Sequence, residues 1–159
     1  MYSPGHLTGI DPLGPVLKKI YSTNLGKTSS SGIRYIYMPQ VAHMPDKVAF
    51  LATMPPADGP RISTMLGYAL AAASMGFEVL IFYTLDAAHI VKKKVFEKLD
   101  PQIRERFKQC MDMGCKMWLC SSAAATFNIK EDEVVEGVKI MGIASFYEYA
   151  AEAKVVLTW

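Results

Sequence analysis

The sequence predicts a three-layer α/β fold, a mostly parallel sheet of about five strands with helices on both faces, and three observations predict it. Val48 to Ala52 and Glu78 to Thr84 are short, nearly continuous apolar runs, as expected of parallel strands covered on both sides. Between them Ile62, Met65, Leu66, Ala69, Leu70 and Ala73 recur at helical spacing. Strand, helix and strand within some forty residues is a βαβ unit, whose crossover is almost always right-handed. A third apolar run, Met117 to Cys120, follows a second helical stretch and extends the alternation.

Each element has its own punctuation. The first strand stops at Met54-Pro55-Pro56-Ala57-Asp58-Gly59, Pro60 suits a first helical position, and Gly76 stops the helix. After the second strand, Leu85-Asp86-Ala87-Ala88-His89 falls at the C-terminal edge of the sheet, where ligands of open α/β folds collect. Pro101 starts another helix, Cys110 lies near its end, and Cys115 begins the next strand. Glu131-Asp132-Glu133 opens a short polar helix ended by Gly137. Ser145-Phe146-Tyr147-Glu148 has the capping-box pattern, which predicts a last helix from Ser145 to about Ala153, and Val155 to Leu157 reads as a final strand.

Residues 1–46 differ in character from 47–159, so the chain divides into an irregular N-terminal extension and one α/β domain. Eight Gly and Pro between Pro4 and Gly32 interrupt any long element, although Val16, Leu17, Ile20 and Tyr21 make a short helical face and Ile33 to Met38 alternates like a strand. Gly26-Lys27-Thr28 looks like the end of a phosphate-binding loop. That motif needs a Gly five positions earlier, where Tyr21 stands, so a solvated turn is the better reading.

Composition narrows the function. With 159 residues and 51% hydrophobic residues, one domain with a real core is expected. A net charge of +2, with no basic stripe interleaved with aromatics, argues against nucleic acid. No apolar run reaches the ~18 residues of a membrane helix. Three cysteines, an odd number, and no leader-like N-terminal pattern lead to the expectation of reduced thiols in the cytoplasm. The ten methionines read as core filling rather than copper ligands.

Cys120 is the candidate reactive residue. It ends a strand and precedes small residues and Ser that open a helix, where unpaired backbone N–H groups favour a thiolate. The alternative is a small buried hydrophobe. Asp86 and His89, on the same sheet edge, are second-rank candidates for lowering its pKa or moving protons, against a plain reading as exposed loop residues. Ser121 and Ser122 are candidates for binding an anionic adduct, or simply start the helix. Lys92, Lys93, Lys94, Lys98, Arg104, Arg106 and Lys108 either attract an anionic partner or form a solvated helix face.

The even spacing of Cys110, Cys115 and Cys120 lacks the close Cys pairs of zinc or iron–sulfur sites, so no metal or cofactor is expected. In an extended strand, Cys115 and Cys120 stand about 16 Å apart at ~3.3 Å per residue, with side chains on opposite faces. No disulfide can join them within one subunit. Cys110 is an auxiliary candidate as a second sulfur site or resolving thiol, with inert packing as the alternative.

Four segments in order, Lys47 to Thr53, Gly76 to Asp86, Met117 to Cys120 and Val138 to Trp159, resemble the DsrE/DsrF-like family, which includes the TusD-type sulfur-relay proteins and relatives labelled predicted peroxiredoxins. The resemblance implies a DsrE-like fold over 47–159 and a trimer or hexamer. It also implies a sulfur-carrying role for Cys120, which would hold sulfane sulfur as a persulfide or thiosulfonate, and a TusA-like carrier or a rhodanese as partner. TusD-type members follow this cysteine with a basic pair and a Gly-Ile step. Here Thr126-Phe127 and Asn128 occupy those places. Two other readings stay open: a thiol peroxidase, for which the usual Thr-x-x-Cys arrangement is missing, and a non-catalytic assembly or regulatory subunit.

Overall fold

A computed structural model of the chain describes residues 45–159. The helical face at Val16 to Tyr21, the strand at Ile33 to Met38 and the turn at Gly26 to Thr28 lie outside the described residues. Five strands, β1 (Lys47–Ala52), β2 (Glu78–Tyr83), β3 (Lys116–Cys120), β4 (Lys139–Met141) and β5 (Ala153–Thr158), form one sheet in the order β4-β3-β2-β1-β5. All four pairings are parallel. The helices are α1 (Gly59–Ser74), α2 (Lys93–Phe96), α3 (Pro101–Asp112), α4 (Ser121–Thr126) and α5 (Ile143–Ala151), with 3₁₀ segments at Leu85–Val91 and Glu131–Glu133.

Strand alternation distributes the core between two faces. On β2, Tyr83 turns toward α3, with its ring 6.2 Å from that of Phe107, whereas Phe82 turns toward α5, 4.9 Å from Phe146. Arg106 ties α3 to α1 by donating to Ser63 O at 2.9 Å and Ser63 Oγ at 2.8 Å. The helix starts are capped as their sequences require: Asp58 accepts from Arg61 N at 3.3 Å before α1, and Asp100 from Gln102 N at 2.7 Å before α3.

Two expectations need correction, and one strand was not foreseen. The last helix begins at Ile143, with Gly142 as its extended N-cap, so Ser145 lies inside the first turn and forms no capping box. The helix must start there because β4 ends at Met141, and only then do Phe146 and Tyr149 reach the sheet. The Tyr149 ring packs 6.0 Å from Trp118, and its hydroxyl donates to Glu78 O at 2.8 Å. The acidic run at Glu131 is a single 3₁₀ turn rather than a helix, because Val134 bridges back to Lys92. Finally, Lys139–Met141 is an edge strand, which the short apolar pattern beside Gly137 and Gly142 did not announce.

Candidate functional site

β3 carries Cys120 to the C-terminal edge of the sheet. It is the strand's last residue, pairs in register with Met141, and serves as the extended N-cap of α4 (φ −60°, ψ 122°). Its side chain makes no capping hydrogen bond and the residue is 5% exposed. The serines that follow are both exposed, and Gly142 lies alongside the first, since a Cβ added there would stand 3.9 Å from Ser121 Oγ.

Beside the exposed Ser121 and Ser122, this edge also carries exposed apolar residues. Tyr83 is level with Leu119, so the residues after β2 run beside Cys120 and Ser121. Leu85, 62% exposed, holds a positive φ of 49° that costs a non-glycine residue about 1 kcal/mol or more. Ile143, 43% exposed, follows Gly142 on the other side. Two exposed apolar residues thus follow the strands on either side of β3, whose terminal cysteine is nearly covered. Neither was singled out in the sequence, although an apolar residue directly after a strand's last turn of register is a usable signal.

Asp86 and His89 occupy the 3₁₀ segment between β2 and α2. Asp86 is exposed, while the His89 ring packs on Phe127, beyond the end of α4, with centroids 4.3 Å apart. Helix α4 separates that contact from Cys120 by roughly 9 Å at 1.5 Å per residue. Among the described residues two hydrogen bonds involve side-chain sulfur, Tyr83 to Met117 Sδ at 3.8 Å and Cys110 Sγ to Leu66 O at 3.5 Å, and neither includes Cys120. Ser121 and Ser122 therefore stand at the cysteine, Asp86 on the same edge, and His89 at the far end of α4.

Phe127 also lines a cleft of about 580 Å³ with Lys92, Lys94, Asn128, Lys130, Asp132 and Glu133. Asn128 adopts a left-handed φ of 48°, which turns the chain out of α4. Much of the basic run is structural: Lys92 pairs with Glu133 at 3.4 Å, and Lys93 donates to Asp132 O at 2.6 Å. The N–H of Lys130, and then the charges of Lys92 and Lys94, hold the Glu133 carboxyl below its ordinary range.

Cys110 is remote from Cys120. It is fully buried in the last turn of α3, and Cys115 lies immediately before β3. By strand alternation Cys115 shares the α3 face with Met117 and Leu119, whereas Cys120 shares the α5 face with Trp118, as their odd separation predicts. All three cysteines are free. Among the described residues no group of three or more His, Cys, Asp or Glu is placed to hold a metal ion, and no helix is long and apolar enough to cross a membrane.

Comparison with known proteins agrees with this architecture. An uncharacterized protein of Methanocaldococcus jannaschii is 25% identical over 113 residues, which cover 71% of this chain and 99% of that protein. The sulfur carrier protein DsrE2 of Allochromatium vinosum is 29% identical over 68 residues, 43% of each chain. Among solved structures, the E. coli ychN protein has a TM-score of 0.62 at 18% identity, covering 72% of this chain and 99% of its own, which establishes the shared fold. A protein of unknown function from Methanobacterium thermoautotrophicum has a TM-score of 0.59 at 12% identity, with 72% and 99% covered. The DsrE/DsrF-like family model matches residues 46–159, and the chain belongs to that family.

Proposed function

We propose that residues 47–159 form a sulfur-carrier domain in which Cys120 holds sulfane sulfur and passes it to the thiol of a partner protein. The observation that carries this reading is the position of Cys120, at the end of β3 on the sheet's C-terminal edge, where exposed Leu85 and Ile143 follow the ends of the two neighbouring strands. An apolar rim around a thiol suits docking of a protein rather than capture of a small polar substrate. Membership in a sulfur-relay family, with partial similarity to a sulfur carrier, supports the same chemistry.

The transfer is an exchange at sulfur. The Cys120 thiolate attacks the outer sulfur of a donor persulfide; the new bond joins Sγ to that sulfur, the donor's S–S bond breaks, and the donor leaves as a thiolate. Delivery repeats the step, with the partner's thiolate as nucleophile and Cys120 as leaving group. With tetrathionate the central S–S bond breaks, thiosulfate leaves, and Cys120 retains the S–SO₃⁻ fragment. Ser121 and Ser122 lie where an anionic adduct would emerge, Asp86 flanks the entrance, and His89 acts from the far end of α4. A TusA-like carrier or a rhodanese is the partner class, in the cytoplasm, with the protein itself a trimer or hexamer and residues 1–46 an appended extension. Cys110 takes no part in the transfer under this reading.

The near-complete cover over Cys120 favours a second reading, a non-catalytic assembly subunit. Intact-mass spectrometry of reduced protein exposed to tetrathionate or a persulfide donor separates the two. A reducible adduct on wild type that Cys120→Ser lacks supports the carrier. Equal labelling of the two proteins, or none, overturns it.

A further inference from the structure

Cys110 and Cys115 are brought together by the way α3 ends. Gly114 holds a left-handed φ of 82°; its N–H donates to Met111 O at 2.9 Å, and the Cys115 N–H donates to Cys110 O at 2.9 Å. These two bonds make a Schellman motif, in which the third residue from the helix end and the second residue beyond it meet side by side. That contact is usually an apolar pair. Here both positions are cysteine, so an ordinary helix stop sets two thiols at neighbouring positions.

We infer that Cys110 and Cys115 form a reversible dithiol–disulfide couple, oxidised by a low-molecular-weight disulfide and independent of Cys120. The backbone bond between the two residues holds their Cα atoms close, within the ~4.4–6.8 Å that a disulfide spans. Access favours one order of events. Cys110 is completely buried, while Cys115, buried but for 7% of its surface, follows Met113, which is 49% exposed on the same turn. Cys115 therefore meets the oxidant first.

The electrostatics agree with that order. Hydrogen bonding from the Cys110 thiol lowers the Cys115 pKa against the opposing cost of burial. The same bond, then burial, raises that of Cys110. The single Cys110 proton, which points to Leu66 O at 3.5 Å, serves Cys115 Sγ when that sulfur is ionised. Tyr83, buried beside them with its hydroxyl on Met117, stays neutral, held well above its usual pKa first by burial and then by charge on either cysteine.

The reaction balances. The Cys115 thiolate attacks one sulfur of a disulfide RSSR, forming a mixed disulfide and releasing RS⁻. Cys110 then gives up its proton and attacks Cys115 Sγ, closing the protein disulfide and releasing a second RSH. Two protein thiols are oxidised and one RSSR is reduced to two thiols. Cys120 lies at the other end of β3 and on the other face of the sheet, so it cannot resolve either intermediate.

The test uses the full chain with oxidised glutathione, acid quenching, alkylation in denaturant and tryptic mapping. Cleavage after Lys108 and Lys116 places Cys110 and Cys115 on one peptide, residues 109–116, and Cys120 on the next. Wild type and Cys120→Ser should both yield the 109–116 peptide unalkylated and two hydrogens lighter than its reduced form. Cys110→Ala should stop at a glutathione adduct on Cys115, and Cys115→Ala should leave Cys110 unmodified. Full alkylation of both cysteines in wild type, or a disulfide that includes Cys120, would overturn the inference. Sulfur loading on Cys120 is measured separately, so failure of the carrier reading leaves this outcome unchanged.

Discussion

The two ends of β3 carry the same functional group in opposite settings. At the C-terminal end Cys120 stands by itself, with no sulfur hydrogen bond among the described residues, on a sheet edge that also carries exposed Ile143 and a strained, exposed Leu85. At the N-terminal end Cys115 shares a buried contact with Cys110, organised by backbone hydrogen bonds alone. A cysteine is defined by what approaches it. Under the proposed function one end serves a partner from outside, and under the further inference the other serves a partner already within the chain.

The largest effect separates the ends outright. Replacing Cys120 by Ser should abolish sulfur loading completely while the Cys110–Cys115 chemistry proceeds at the wild-type rate, as read by mass spectrometry of the two tryptic peptides. Residual loading at Cys115 would break the contrast.

Alkaline pH probes the buried end. Tyr83 has its pKa raised from 10.0 chiefly by burial, as does Tyr149, whose hydroxyl also neighbours Glu78. Both are neutral in the folded protein and ionise near their ordinary pKa once unfolded. The unfolded state then binds fewer protons above pH ~10, and each group removes about 1.4 kcal/mol of stability per further pH unit until its folded pKa is reached. Phenolate absorbance of these two tyrosines should appear together with the loss of circular dichroism. Ionisation before unfolding would show that the sheet's interior is wetter than its packing implies.

A smaller change tests the turn that makes the thiol pair. Gly114→Ala forces a Cβ into a left-handed conformation, with nothing within 4 Å to clash, so the cost is backbone strain of about 1–2 kcal/mol. Urea denaturation should report that loss, and disulfide formation on the 109–116 peptide should slow, with loading at Cys120 unaffected.

The smallest effect belongs to the outer end and has the opposite sign. Leu85→Gly should stabilise the fold by up to about 1 kcal/mol, because glycine accepts the positive φ without strain. It also removes an exposed apolar side chain from the rim, so transfer from loaded Cys120 to a carrier thiol should slow, as followed by single-turnover mass spectrometry. Faster transfer by the stabilised variant would argue that Leu85 shields the cysteine rather than docking a partner.

Much of this architecture was legible in one dimension. β1 and β2 read directly because both faces of a central parallel strand are covered, which leaves little room for polar residues. α1 and α3 read from Pro60 and Pro101 at their first turns, while the Asp58 and Asp100 caps ahead of them came from the structure. Edge strand β4 escaped, since three residues with one covered side carry almost no pattern, and the capping box at Ser145 misled because the end of β4 sets where α5 starts. Cys120 was legible as the residue between strand and helix, and Asp86 as a neighbour on its sheet edge; that His89 packs on Phe127 at the far end of α4 was not.

The sequence by itself determined the fold class, the family resemblance and the placement of Cys115 and Cys120 on opposite faces of one strand, because periodicity and strand alternation are local properties of the chain. The folded structure decided that α3 stops at Gly114 with Cys110 and Cys115 side by side, and that both are buried under the sheet. Cys110 and Cys115 are five residues apart, a spacing that brings no two side chains together in a continuous helix or strand. They stand side by side because Gly114 reverses the backbone at the end of α3.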